Sequence, residues 1–387
     1  MTSNPLRVAL FSGNYNYVRD GANQALNRLV GYLLRQGVDV RVYAPVVKQP
    51  AFEATGTLIG VPSIAIPGRG EYRITTGLSN EVRRDLEAFD PDVVHISSPD
   101  PAAHRAVSWA KERNLPVVSS IHTRFETYLT YYNLSLFVPL LMAILRRLYK
   151  RCDVLLAPVE STATVLREQG MGDHIELWSR GVDRNQFNPD RRNMAWRRQH
   201  GIEDNEIAVT FLGRLVLEKG LDVFVDVMKR LQKMDVKFRP LIIGDGPARE
   251  WFEEHLPEGV FVGFKEGDEL GEALACGDVF FNPSVTETFG NVTQEALSCG
   301  LPVVAASTTG ASNLVEHGVS GMLVEPGDID AYAQALAIYI QTPELCREHG
   351  QAGVAFTQNR DWDSINNAVL QTYEKLVSGR LQKVKAA

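Results

Sequence analysis

The chain has 387 residues, 44% hydrophobic and 22% charged, an ordinary globular composition long enough for two cores rather than one. A formal net charge of −7 argues against general nucleic-acid binding and leaves room only for local basic patches. The four cysteines, Cys152, Cys276, Cys299 and Cys346, stand far apart, with no CxxC pair and no histidine at metal-ligand spacing, so they read as reduced thiols of a cytosolic protein.

A buried-strand pattern at residues 6–11 comes first, with no charged-then-apolar leader before it, so no signal peptide is expected. The polar loop SGNYNYVRDG (12–21) follows and opens a helical pattern at 22–35. This loop is no GxGxxG fingerprint. Asp20 suits a helix N-cap, and Gly21 falls at the helix start, where unpaired N–H groups attract anions. Further strands are predicted at 38–43, 93–96, 116–121 and 154–157, with a helix at 102–113 among them. His95 ends one of these strands and reads as a packed, hydrogen-bonded residue, whereas His122 follows the strand 116–121 at the end that faces ligands.

Residues 123–152, TRFETYLTYYNLSLFVPLLMAILRRLYKRC, are rich in aromatics and leucine and end in Arg146, Arg147, Lys150 and Arg151. The apolar run at 134–145 is about half the roughly 20 residues that span a bilayer, and Pro139 interrupts it, so no transmembrane helix is expected. Two readings of the segment stay open. One is an interfacial helix whose basic end meets anionic head groups. The other is a core-packed helix whose basic last turn suits the helix dipole.

Residues 181–190, GVDRNQFNPD, are polar and contain Gly and Pro, and they are read as the domain linker. The second half repeats the alternation, with strands at 207–212, 241–243, 260–262, 279–282, 302–305 and 322–324. After Gly220, Leu221, Phe224, Val225, Met228 and Leu231 form an apolar stripe at helical spacing. A final helix is predicted at 364–377. The pattern predicts an α/β chain of two Rossmann-like domains, each with a parallel sheet, facing a cleft between them. The expected boundaries are 1–182, 183–360, and a C-terminal helix in 361–387 that returns toward the first domain.

The densest chemistry lies in PSVTETFGNVTQEALSCGLPVVA (283–305), which sets Glu287 and Glu295 eight positions apart across a Gly-containing loop that opens a helix. A helix start attracts anions and carboxylates accept hydrogen bonds from diols, so this unit suits a ligand carrying phosphates and hydroxyls. Phe289, Val292, Ala296 and Leu297 keep the carboxylates from free solvation, and Gly290 allows close backbone approach. Upstream, GRLVLEKG (213–220) carries Arg214 after a strand and Lys219 before a helix; the pair suits phosphate, and solvated surface cations are the alternative.

These motifs, with LWSRGVD (177–183), FNP (187–189), PDVVH (91–95) and IHT (121–123), resemble the retaining glycosyltransferases of family four, which have the two-Rossmann-domain architecture called GT-B. Within the family the chain is most similar to the branch holding sulfoquinovosyl diacylglycerol synthases and actinobacterial α-mannosyltransferases.

The resemblance implies that Arg214 and Lys219 neutralise the departing diphosphate, that Glu287 holds sugar hydroxyls, and that Glu295 holds the ribose. It implies that Gly21, Gly213 and the backbone of Phe289, Gly290 and Asn291 line the donor, and that His122 touches the donor sugar. Tyr15, Tyr128, Arg146, Arg147 and Lys150 are expected on the acceptor or membrane side. No covalent nucleophile stands out. The cationic pair can do a metal's work, so no divalent ion or other cofactor is expected beyond the donor, a GDP- or UDP-linked sugar.

The leading expectation is therefore a retaining hexosyltransferase acting on a membrane lipid or glycolipid, cytoplasmic and peripheral on the membrane face. The same chemistry on a soluble or polysaccharide acceptor is one alternative, and a non-catalytic sugar-nucleotide-binding scaffold is another.

Overall fold

The computed structural model of the chain describes residues 5–18, 20–66, 69–122, 135–287, 289–308 and 310–386. It divides into two compact units, Met1–Arg180 with Trp362–Ala387, and Gly181–Asp361.

The first unit is built on a seven-stranded sheet in the order β3-β2-β1-β6-β7-β8-β9. Its strands are β1 (Arg7–Phe11), β2 (Asp39–Ala44), β3 (Thr57–Gly60), β6 (Val93–Ile96), β7 (Val117–Ser120), β8 (Val154–Ala157) and β9 (Ile175–Leu177). Every pairing in it is parallel. Central strands such as β6 are buried at every position, because parallel sheets carry helices on both faces. A separate antiparallel hairpin joins β4 (Ser63–Ile66) to β5 (Arg69–Thr75).

Helix α1 (Gly21–Arg35) lays Ala25, Leu26, Leu29, Val30 and Leu33 against one face of this sheet. The helices α2 (Asn80–Phe89), α3 (Pro101–Glu112), α4 (Val138–Tyr149) and α5 (Glu160–Glu168) belong to the same unit. Leu86, Trp109, Leu145 and Leu166 from them build a core with Ala9, Val94 and Val117 of the sheet.

The second unit holds a six-stranded sheet in the order β12-β11-β10-β13-β14-β15. Its strands are β10 (Ile207–Leu212), β11 (Phe238–Ile243), β12 (Val260–Gly263), β13 (Val279–Asn282), β14 (Val303–Ala306) and β15 (Gly321–Val324), again all parallel. The helices are α6 (Met194–Gln199), α7 (Leu221–Gln232), α8 (Arg249–His255), α9 (Gly267–Ala275), α10 (Asn291–Ser298), α11 (Ile329–Gln341) and α12 (Pro343–Thr357). The stripe of α7, from Leu221 to Leu231, is fully buried and packs with Phe211, Phe252 and Phe281.

The last helix, α13 (Trp362–Ala386), packs in the first unit through Val369, Leu370 and Tyr373. Burying each such side chain contributes about 1.5–3 kcal/mol, which is ample to hold a chain end in place. The helix runs well beyond the predicted 364–377, because its later turns are too polar to show an apolar stripe. Strands β3, β4, β5 and β9 were not predicted. β3, β4 and β9 are only three or four residues long, and the four positions of β3 are at most half-buried, so no period-2 pattern emerges from them. β5 is seven residues long, but its sequence RGEYRIT is mostly charged residues and glycine and does not read as a strand.

Candidate functional site

In the second unit, chemistry-bearing residues gather in the loops after β10 and β13, at the carboxyl ends of two neighbouring strands. Parallel sheets bind ligands at that end. The loop after β10 begins at Gly213 and is held by backbone bonds to the loop after β11: Gly213 N donates to Ile243 O at 3.0 Å and Leu215 N to Asp245 O at 2.9 Å. Gly244 makes this contact possible, since a Cβ there would lie 2.0 Å from Gly213 O. Arg214 is half-buried in this loop. Lys219 closes a 3-10 turn (Leu217–Lys219), and Gly220, at φ +76, caps α7.

The loop after β13 approaches from the neighbouring strand. Asn282 fixes its start, accepting from Ser284 N at 3.1 Å and donating to Thr293 Oγ1 at 3.1 Å. Thr286 Oγ1 donates to Glu218 O at 3.3 Å. Lys219 Nζ then meets Glu287 Oε1 at 2.6 Å, with the Glu287 side chain only 18% exposed. The back of Glu287 rests on Gly310, where a Cβ would lie 2.6 Å from Glu287 O. Gly290, at φ +93, turns the chain into α10 in a conformation that favours glycine. Phe289 is buried beneath this turn. Asn291 opens α10 with its Oδ1 buried and without a hydrogen-bond partner. Glu295 sits half-buried one turn further along α10.

The loops after β10 and β13 therefore bring together Lys219 and Glu287, two residues expected to act on the same donor. The pairing offers a cation for phosphate and a carboxylate for hydroxyls, with each holding the other's rotamer until a ligand competes. Among the described residues no group of three or more His, Cys, Asp or Glu is arranged to hold a metal ion.

In the first unit, Asp20 caps α1 as read from the sequence, accepting from Asn23 N at 2.8 Å, and Gly21 is the first helical residue. The loop before it folds on itself: the Tyr17 hydroxyl donates to Gly13 O at 2.7 Å and accepts from Arg73 N at 3.2 Å. Gly13 approaches Asp100 so closely that a Cβ would sit 2.9 Å from Asp100 Oδ2. Asp100 caps α3, and burial raises its pKa although several donors pull the other way.

The expectation for Tyr15 needs correcting. It is fully buried, its hydroxyl donating to Thr55 O at 2.7 Å, so it is a core residue that presents nothing to an acceptor. The ring of His122 is also committed inside the unit. Its Nε2 lies 2.8 Å from Ser120 Oγ and its Nδ1 3.1 Å from Arg180 Nη2. Tyr128 lies outside the described residues.

Helix α4 has two faces. Met142, Leu145, Leu148 and Tyr149 point into the core. Leu140 and Ile144 of α4 are exposed, as are Leu136, at 87% exposure, and Phe137 in the 3-10 turn just before it, Arg147 in its last turn and Lys150 just past its end. Arg146 is partly spent on Gln169 O, to which its Nε donates at 2.7 Å. No helix among the described residues is long and apolar enough to cross a membrane.

Sequence reasoning passed over Gly244, Gly310, Asp100 and Arg180. The first two stand in GDGP and TTG, short glycine turns directly after strands, which is a readable signal for close backbone packing.

Two family models match the chain: "Glycosyltransferase Family 4" over residues 19–186 and "Glycosyl transferases group 1" over residues 206–342. The chain is 33% identical to the sulfoquinovosyl transferase of Arabidopsis thaliana, over 93% of this chain and 72% of that protein. It is 30% identical to a GDP-mannose-dependent alpha-mannosyltransferase of Mycobacterium tuberculosis, over 97% and 98% of the two chains. Among solved structures, the sucrose-phosphate synthase of Thermosynechococcus elongatus superposes with a TM-score of 0.77 at 19% identity, covering 97% of this chain and 100% of that one. Anabaena HepE in complex with UDP does so with a TM-score of 0.74 at 19% identity, covering 96% and 100%. At that identity these structures establish the GT-B fold and nothing finer.

Proposed function

The chain belongs to glycosyltransferase family 4 and is a nucleotide-sugar-dependent hexosyltransferase, and we propose that it transfers its hexose, with retained anomeric configuration, to a hydroxyl of a membrane lipid or glycolipid. The observation that carries the site assignment is the Lys219–Glu287 pair.

Breaking the bond between sugar and diphosphate builds negative charge on the leaving oxygen, and preorganised cations stabilise that charge as it develops. Lys219 and Arg214 are those cations. Glu287, freed from Lys219 as the phosphate arrives, accepts hydrogen bonds from the sugar hydroxyls and fixes the ring. Glu295 holds the ribose. The orphaned Asn291 Oδ1 at the start of α10 gains a donor from the ligand's hydroxyls, which removes a buried unsatisfied acceptor. The acceptor hydroxyl attacks from the face the diphosphate leaves, and its proton passes to the leaving phosphate. No protein nucleophile takes part.

Helix α4 supports the lipid acceptor. An apolar outer row ending in Arg147 and Lys150 is the composition of an element that lies in a membrane interface. Kinship with a sulfoquinovosyl transferase and mannosyltransferases favours a UDP- or GDP-linked hexose as donor.

The test is incubation of the protein with labelled nucleotide sugars and a total lipid extract, followed by phase partition. Label in the organic phase is expected. Product confined to the aqueous phase would replace the lipid acceptor with a soluble one.

A further inference from the structure

The backbone on either side of the Lys219–Glu287 pair is fastened, all of it within the second unit. On one side Thr286 Oγ1 donates to Glu218 O at 3.3 Å, which joins the residues immediately before each member of the pair. On the other side Gly220, the residue after Lys219, lies so close to Pro283 that a Cβ would sit 3.2 Å from Pro283 O. Pro283 opens the loop that carries Glu287, and Asn282 Oδ1 pins that loop by accepting from Ser284 N at 3.1 Å. The loops after β10 and β13 therefore cannot part to admit a ligand without breaking these contacts. What can move are the two side chains, whose Nζ and Oε1 meet at 2.6 Å with 27% and 18% of their areas exposed.

An amine paired with a carboxylate is already neutralised, so an incoming phosphate must take Lys219 from Glu287. What the displaced carboxylate meets next depends on the ligand. A hexose brings hydroxyl donors, which a carboxylate accepts. A nucleoside diphosphate that has lost its hexose brings none there, and a mostly buried carboxylate left without donors is costly. A ligand shifts such an equilibrium only by its differential interaction with the two states. The closed pair thus competes strongly against the sugar-free nucleotide and weakly against the sugar-bearing one.

We propose that Glu287 is a specificity-determining residue that discriminates the nucleotide sugar from the nucleoside diphosphate left after transfer, by returning to Lys219 once the hexose is gone. This rests on the reading that the diphosphate lies on Lys219 and the hexose on Glu287. The carboxylate that holds the hexose in the donor complex then helps expel the spent nucleotide.

The test is titration calorimetry with GDP, UDP and their hexose-bearing forms, without acceptor, on the wild type, Glu287→Gln, Lys219→Ala and the double variant, with melting curves to show that each is folded. Glu287→Gln should bind the nucleoside diphosphate about tenfold tighter than the wild type does, the low end for one hydrogen bond to a charged group. The nucleotide sugar should gain nothing, because an amide accepts from the hexose hydroxyls less strongly than a carboxylate. Relative to Lys219→Ala, the double variant should show no tightening, because the amine for which Glu287 competes is gone. Nucleoside diphosphate binding that is unchanged or weaker in Glu287→Gln would overturn the proposal. So would tightening that persists in the double variant, which is charge repulsion alone. The Lys219→Ala titration reads the donor assignment separately: weaker nucleoside diphosphate binding upholds that assignment even where the Glu287→Gln result overturns the proposal, and unchanged binding overturns both.

Discussion

Replacing Lys219 by alanine cuts the Lys219–Glu287 pair, and the structure bounds what that does. At 2.6 Å, with both side chains less than a third exposed, the gross attraction is about 6 kcal/mol at an effective dielectric near 20. Most of that is offset by the desolvation both groups already suffer, so the net cost to the fold is about 1 kcal/mol. In a unit of this size that lowers Tm by about 2–4 °C.

The cost to catalysis is larger. The diphosphate loses a cation where charge develops, which costs about 3–4 kcal/mol, or a factor of roughly 10²–10³ in kcat/KM. Initial rates with the preferred nucleotide sugar and a melting curve measure both quantities. Glu287→Gln serves as the control, because it keeps a hydrogen-bond acceptor and removes only the charge; it should lose less than Glu287→Ala. A Lys219→Ala enzyme within threefold of wild-type kcat/KM would refute the assignment of this pair to the donor diphosphate.

Other outcomes follow from the same geometry. Gly310→Ala drives a methyl to 2.6 Å from Glu287 O, so it should displace that loop and cost about 1–3 kcal/mol of stability with at least tenfold loss of activity; rates and Tm like the wild type's would show the loop does not need the contact. Burial holds the pKa of His95 down to about 3, and burial with Arg180 holds His122 well below its ordinary value, while both protonate near pH 6.5 once unfolded. Below pH 6.5 the unfolded chain binds more protons, so stability is complete above that pH and falls as pH drops, by up to about 1.4 kcal/mol per pH unit for each ring. Thermal melts from pH 7.5 to 4.5 should show this slope, reduced in His95→Gln; equal slopes would contradict it. Arg147→Gln and Lys150→Gln should each weaken sedimentation with anionic vesicles about fivefold, since a basic residue near such a surface contributes about 1 kcal/mol. Unchanged sedimentation would make α4 an ordinary surface helix.

Much of this site was legible because it obeys local rules. Glu287 and Glu295 announce themselves by their spacing around a glycine turn at a strand end, and Asp20 by its place before an apolar stripe. What the sequence hides is partnership over distance. Lys219 and Glu287 are 68 positions apart, and nothing in either local context says that one holds the other. Tyr15 sits in a polar loop and so reads as exposed, yet its hydroxyl finds Thr55 O across 40 positions and its ring joins the core. His95 was readable as packed and hydrogen-bonded, but its partner Tyr373 is 278 positions away on a helix whose stripe is too weak to predict in full. Strand β9, three residues long, has no period to detect, although it leads the chain to Trp178 and Arg180.

The most direct test of the account follows nucleoside diphosphate release from a panel of GDP- and UDP-linked hexoses, with and without anionic vesicles carrying total lipid. One donor should be turned over, its release strongly stimulated by the vesicles and matched one-for-one by hexose in the lipid phase, and Lys219→Ala should abolish both. Release that proceeds equally without lipid, or that survives the loss of Lys219, would contradict the account.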